Sequence, residues 1–137
     1  YSREVKEATG DYDPEAFYAE DYDYWIRVSK RFQLHHLSEP LYFYREHVKS
    51  LSLSKSQEIK ITDVLVRVKN ELIDLDLAAR LLIGVASQRY PRWPKVNKLM
   101  ARILLSTKIR EVLRDFVSGK LSLREARLAL RDVAVGS

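Results

Sequence analysis

The run Ala19-Glu20-Asp21-Tyr22-Asp23-Tyr24-Trp25-Ile26-Arg27 sets three carboxylates among bulky aromatics, and Pro40-Leu41-Tyr42-Phe43-Tyr44-Arg45-Glu46-His47 follows twelve residues further on. A carboxylate held within hydrogen-bond reach of a hydroxyl can act as its general base. Period-two alternation puts Leu41, Phe43, Arg45 and His47 on one strand face, so an Arg and a His point the same way. Together these groups resemble half of a catalytic site. His47 has no second His or Cys at metal-ligand spacing, and the adjacent His35 and His36 point to opposite faces of a strand, which suits a structural role. Asp21 also lies in the first turns of its helix, where the dipole favours an acid.

The elements that must position these residues can be read from the same stretch. Tyr1 to Asp13 is polar and runs into Thr9-Gly10-Asp11-Tyr12-Asp13-Pro14, a cluster of turn formers that predicts a loop. From Ala16 to Phe32 the positions Tyr18, Tyr22, Trp25, Ile26 and Ser29 follow helical spacing, with Asp23 and Arg27 an i,i+4 pair on another side. Two short strands are expected at Gln33 to Leu37 and Leu41 to His47 across the Ser38-Glu39-Pro40 turn. Lys49 to Ser56 is Ser-rich and aperiodic, a hinge before a change of architecture.

Beyond the hinge the pattern is helical. Ile61, Leu65, Val68, Leu72 and Leu75 recur at alternating intervals of four and three, a seam able to pack on another helix. Further helices are expected over Leu75 to Gln88, Lys95 to Ser118 with a break near Ser106-Thr107, and Ser122 to Val133. Tyr90-Pro91-Arg92-Trp93-Pro94 separates two of them, because neither proline fits a helix interior. Gly119 stops the third, and Ser122-Leu123-Arg124-Glu125 matches a capping box that starts the last. The fold class is therefore mainly α with a short β element, an α+β arrangement.

Composition narrows the chemistry. The chain has 137 residues, 46% hydrophobic and 31% charged, enough for one modest core. It has no cysteine, which excludes disulfide scaffolds, thiolate zinc sites and cysteine nucleophiles and agrees with a reducing cytoplasm. The net charge of +5 divides unevenly: residues 1–79 hold 11 Lys and Arg against 15 Asp and Glu, residues 80–137 hold 13 against 4. An acidic face suits metal or sugar chemistry, and a basic one suits phosphates, nucleic acid or anionic lipid. The most apolar window, Leu75 to Ala86, is broken by Asp76 and Arg80 and is too short to cross a bilayer. No basic, apolar and small-residue succession marks a signal peptide at the N-terminus.

Taken in order, Gly10-Asp11-Tyr12-Asp13-Pro14, the Ala19 to Arg27 run, and Ser38-Glu39-Pro40-Leu41-Tyr42-Phe43-Tyr44-Arg45-Glu46-His47 with Ser50 and Ser52 resemble the C-terminal half of the catalytic domain of family 2 glycosyltransferases of the GT-A fold. The likeness covers Ala8 to Leu53. It implies that residues 1–53 form the acceptor-side part of such a domain, and residues 54–137 a helical accessory region. It implies that Asp21 is the general base on an acceptor hydroxyl in an inverting transfer from a nucleotide-sugar donor, with Glu20 shaping the acceptor site. Gly10 would border the donor sugar, His47 would reach a divalent metal and the donor diphosphate, and Arg45 would assist with phosphate. Mg²⁺ or Mn²⁺ is the implied cofactor of the complete enzyme, and a glycan or lipid-linked acceptor of the cell envelope its partner, as in polysaccharide biosynthesis.

The nucleotide-binding βα units of that family, ending in an apolar strand with Asp-x-Asp, would lie N-terminal to this region. The fragment alone is expected to be inactive. A truncated sheet leaves Leu41 to His47 with an open edge, which offers self-association there or along the Ile61 to Leu75 seam. The basic half, with Tyr90 and Trp93 in its proline-bounded loop, points to peripheral contact with an anionic membrane at the inner, cytoplasmic face. The alternative reading is a non-catalytic basic helical module that binds nucleic acid or an acidic protein partner. Without an aromatic stacking platform or a recognition-helix signature, nucleic acid is not expected.

Overall fold

The computed structural model describes residues 2–43, 55–87 and 95–135. Among them run α1 (Arg3–Thr9), a 3₁₀ turn (Pro14–Ala16), α2 (Glu20–Ser29), α3 (Ser56–Lys69), α4 (Leu75–Ser87), α5 (Lys95–Val117) and α6 (Leu123–Val135). The last four helices form a bundle in which each packs on the next and α6 returns against α3. Its centre is Leu65, Val66, Ala78, Leu113 and Ala126, all out of solvent. The 3₁₀ turn leans on α6, α2 on α3, and α1 on α2.

The mainly helical expectation holds, and the β element does not appear among the described residues. Residues 33–43 are without regular structure, and Leu34, Leu37, Leu41, Tyr42 and Phe43 are exposed. A strand needs ladder partners, and two short strands by themselves are marginal in water. The rest of the second expected strand, Tyr44 to His47 with Arg45, lies outside the described residues, as does the segment holding Tyr90 and Trp93.

Further expectations need correction. The N-terminal loop contains a helix, α1, because Ser2 caps it and Arg3 bonds Glu7 one turn on at 2.6 Å. Of the face assigned to α2, Ile26 is buried but Tyr22 and Trp25 are turned outward, and Asp23, Tyr24 and Val28 are buried in their place. The seam beginning at Ile61 packs inside the bundle through Ile61, Leu65 and Val68, but its helix ends at Lys69, before Leu72 and Leu75. Leu72 sits in the turn and is half exposed. No break occurs at Ser106-Thr107; the Thr107 hydroxyl donates to the Ile103 carbonyl at 3.0 Å and α5 runs on.

Two helices end in the same six-to-one and five-to-two bonded turn. After α5, Lys120 N–H donates to Asp115 O at 2.9 Å and Gly119 N–H to Phe116 O at 3.1 Å, with Gly119 at φ +77°. After α3, Leu72 N–H donates to Arg67 O at 2.9 Å and Glu71 N–H to Val68 O at 3.0 Å, but the left-handed position, φ +60°, is filled by a glutamate. Only glycine takes that conformation without a Cβ penalty of about 1 kcal/mol or more. Glu71→Gly should therefore stabilise the protein by about 1 kcal/mol and Gly119→Ala destabilise it by about as much. Urea midpoints that move in the opposite directions would refute the assignment. At the other end of that loop the expected capping box is present: Glu125 N–H donates to Ser122 Oγ at 3.3 Å and Ser122 N–H to Glu125 Oε2 at 2.8 Å.

Candidate functional site

Asp13, Glu20, Asp21 and Asp23 flank the passage from the 3₁₀ turn into α2, and the fold treats them differently. Asp23 is 0% exposed. Its Oδ2 accepts from Arg27 Nε at 2.9 Å, and its Oδ1 from Lys69 Nζ at 3.2 Å and Asn70 Nδ2 at 3.1 Å. Asp13 caps the 3₁₀ turn by accepting Glu15 N–H at 2.9 Å, and its other oxygen accepts from Lys69 Nζ at 2.7 Å. Lys69 thus bridges two carboxylates from the α3 terminus. Asn70 completes the knot with Nδ2 on the Val66 carbonyl at 3.0 Å, while its own carbonyl accepts from Lys30 Nζ at 3.0 Å. A buried charge held by three donors is a structural charge, and neither carboxylate has an oxygen to spare for a substrate proton.

Arg27 carries this knot across to the Gly10 turn. With Nε on Asp23, its two terminal nitrogens donate to Thr9 O at 2.6 Å and Asp11 O at 2.9 Å, one carbonyl on each side of Gly10. Arg31 adds a bond to Ala8 O. Gly10 closes α1 with φ +80°, and a Cβ there would meet nothing within 4 Å. Within this chain the turn's conformation, rather than crowding, calls for glycine.

Glu20 and Asp21 are the acids left over. Both belong to the first turn of α2, which Ala19 precedes without a side-chain cap. Asp21 is exposed; its Oδ1 accepts Tyr22 N–H at 2.7 Å, and among the described residues nothing takes Oδ2. Glu20 Oε2 is enclosed and has no hydrogen-bond partner among the described residues. Tyr22 and Trp25 stand on the same open side of α2, with the Arg67 guanidinium 5.8 Å from the Tyr22 ring centre. The approach to this turn is strained, because Tyr18 adopts φ +80°. The structure thus ties the Gly10 turn to the last turn of α2 through Arg27, while Glu20 and Asp21 stand in the first turn of the same helix. Arg45 and His47 lie outside the described residues.

Among the described residues no group of three or more His, Cys, Asp or Glu could hold a metal. Asp13 and Asp23 already have ammonium and guanidinium counter-ions. No described helix is long and apolar enough to cross a membrane.

The Asp23–Arg27 pair is visible in the sequence as an i,i+4 spacing, but its burial is not. The signal was the set Asp23, Tyr24, Arg27 and Val28, whose i, i+1, i+4, i+5 spacing defines a helix face as well as the aromatics do.

The ion pairs set a pH window. Burial pushes the Asp13 carboxyl up, but the Lys69 ammonium, the Glu15 N–H and the charge of Arg27 outweigh it, and the group lies below its usual 3.8. Burial likewise pulls Lys69 down, and the bonds and charges of Asp13 and Asp23 outweigh it, leaving the amine above its usual 10.5. A lowered carboxyl contributes stability above its unfolded value and loses it as pH falls through the folded one. A raised amine contributes below its unfolded value and loses it as pH rises through the folded one. The contribution of this link is therefore complete between about pH 4 and about pH 10. The stability gap between the wild type and Asp13→Asn should shrink as pH drops below about 4. A gap that stays constant to pH 2 in urea titrations would show that Lys69 does not act through that charge.

Compared with protein-family models, with curated proteins and with solved structures, this chain finds no match.

Proposed function

We propose that this chain is the acceptor-side part of a nucleotide-sugar-dependent glycosyltransferase of family 2, in which Asp21 takes the proton from an acceptor hydroxyl. The observation that carries the reading is the sorting of the acids. Asp13 and Asp23 are consumed by Lys69, Arg27 and Asn70, whereas Asp21, six residues before the Gly10 loop's Arg27 anchor on the same helix, keeps an oxygen that no described residue takes, on an exposed surface.

A sugar hydroxyl is a weak nucleophile at neutral pH, and a carboxylate in hydrogen-bond reach removes its proton as the new bond forms. Tyr22 and Trp25 beside Asp21 offer flat apolar faces to a pyranose ring. Arg27 fixes the Gly10 turn relative to α2, so the two sides of the site keep their separation. Mg²⁺ or Mn²⁺, Arg45, His47 and the donor-binding units belong to the complete enzyme, and no step here depends on them.

The test is donor-dependent transfer by a longer protein carrying this segment, with the 137-residue chain as control. Transfer to an acceptor hydroxyl by the longer form alone supports the reading. Failure across nucleotide sugars with either cation, or micromolar nucleotide-sugar binding by the 137 residues themselves, counts against it.

A further inference from the structure

The excess positive charge of residues 80–137 is not spread evenly over the bundle. Among the described side chains of α5, residues 103–117, the exposed cations are interleaved with acids: Arg110 pairs with Asp76, and Lys108 and Arg114 flank an exposed Glu111. Lys120, just after it, bonds Asp115 at 3.1 Å. On α6 the signs separate. Leu123, Ala126 and Leu130 are buried, so the outward midline of the helix passes through Leu128, which is 37% exposed. At 100° per residue, Arg124, Arg127 and Arg131 fall within an arc of about 60° on one flank of that line. Glu125 and Asp132 lie on the other side.

The arginine flank faces the turn before the candidate base. Arg127 donates to the Phe17 carbonyl at 2.9 Å, and its guanidinium stands 5.8 Å from the ring centres of both Phe17 and Tyr18. Phe17 remains 53% exposed. Arg124 has no carboxylate partner among the described residues, and the exposed Arg131–Asp132 contact at 3.2 Å is a weak tie. The result is a convex strip of three guanidinium groups bordered by Leu128 on one edge and Phe17 on the other.

We propose that this strip is a docking surface for an anionic phospholipid membrane, bound peripherally through Arg124, Arg127 and Arg131 with Leu128 and Phe17 entering the headgroup layer. Charge complementarity names the partner, and the apolar edges choose among polyanions. A plane of lipid phosphates has an apolar interior beneath it, whereas a soluble polyanion offers nothing to Leu128. The inference goes beyond the transferase reading and does not rest on it.

Vesicle co-sedimentation of the 137-residue chain tests it without any assay of activity. Binding should rise with phosphatidylglycerol content, be absent on phosphatidylcholine, and disappear in high salt as exposed charges are screened. Each near-surface arginine contributes about fivefold, so the Arg124→Gln/Arg131→Gln variant should partition roughly 25-fold less strongly. Lys108→Gln/Arg114→Gln makes the same change in net charge on α5 and should leave binding nearly intact. All four side chains are exposed, so both variants should melt with the wild type. Leu128→Ser, which alters no charge, gives a second probe and should weaken binding at low salt. Equal loss from the two charge pairs, equal recovery with neutral and anionic vesicles, or capture of an oligonucleotide but not of anionic vesicles would overturn the proposal.

Discussion

Asp23→Ala should lower the folding free energy by about 3 kcal/mol, while Asp21→Ala, two residues away, should change it by less than about 0.5 kcal/mol. The first substitution strips the counter-charge from Arg27 and Lys69 and the acceptor from the Asn70 amide, at a site closed to water. Removing one member of a buried ion network costs more than the network's own worth, because its partners stay behind desolvated and unpaired. Arg27 and Lys69 are both partly in water, which places the effect at the lower end of the range measured for such losses. Asp23→Asn keeps the shape and one acceptor and should fall between the two alanine variants. Urea denaturation measures all three. A loss below 1 kcal/mol for Asp23→Ala would mean that the network contributes little.

Asp21→Asn should leave the melting transition in place and reduce sugar transfer by the longer enzyme by about 10²- to 10⁴-fold, the usual contribution of a positioned general base. The amide keeps the size of the carboxylate and can still accept Tyr22 N–H, but it cannot take up a proton. Donor affinity should be unchanged, since the substitution touches only the acceptor's proton. Turnover near the wild-type rate, with fold intact, would remove Asp21 from the reaction. The two aspartates thus separate cleanly, one read by denaturant and the other by rate.

The helical half of the molecule was legible because its signals are local. Bundle helices carry a 3.6-residue apolar period, and their ends are marked by Gly119 and by Ser122 with Glu125, groups whose partners are within six residues. What failed was non-local. The rotation of α2 depends on Lys69 and Asn70, more than 40 residues away in sequence, which neutralise Asp23 and allow a charged position to face inward. Without them, a buried aspartate between two tyrosines reads as a surface residue. α1 was missed because its polar composition has no buried face, and its support is Ser2, a side-chain pair and the Arg27 bonds to its C-terminal end. Within the candidate site, the nearness of Gly10 to α2 could be expected from the motif order. The Arg27 bracket that produces it could not, since both acceptors are backbone carbonyls.

The bonds that seat the 3₁₀ turn on α6 impose an order on folding. Leu123 N–H donates to Glu15 Oε2 at 3.2 Å, across 108 positions, and Arg127 reaches Phe17 across 110. Contacts so distant require loop closure before they return any enthalpy, whereas α4, α5 and α6 assemble through near neighbours. The bundle is thus expected to form first, and the corner that carries Glu20 and Asp21 to anneal onto it late. Elements added last are held by the fewest contacts and open at the lowest free energy. The carboxylate proposed for chemistry is therefore expected to ride on the part of the molecule whose amides exchange before those of the bundle beneath it.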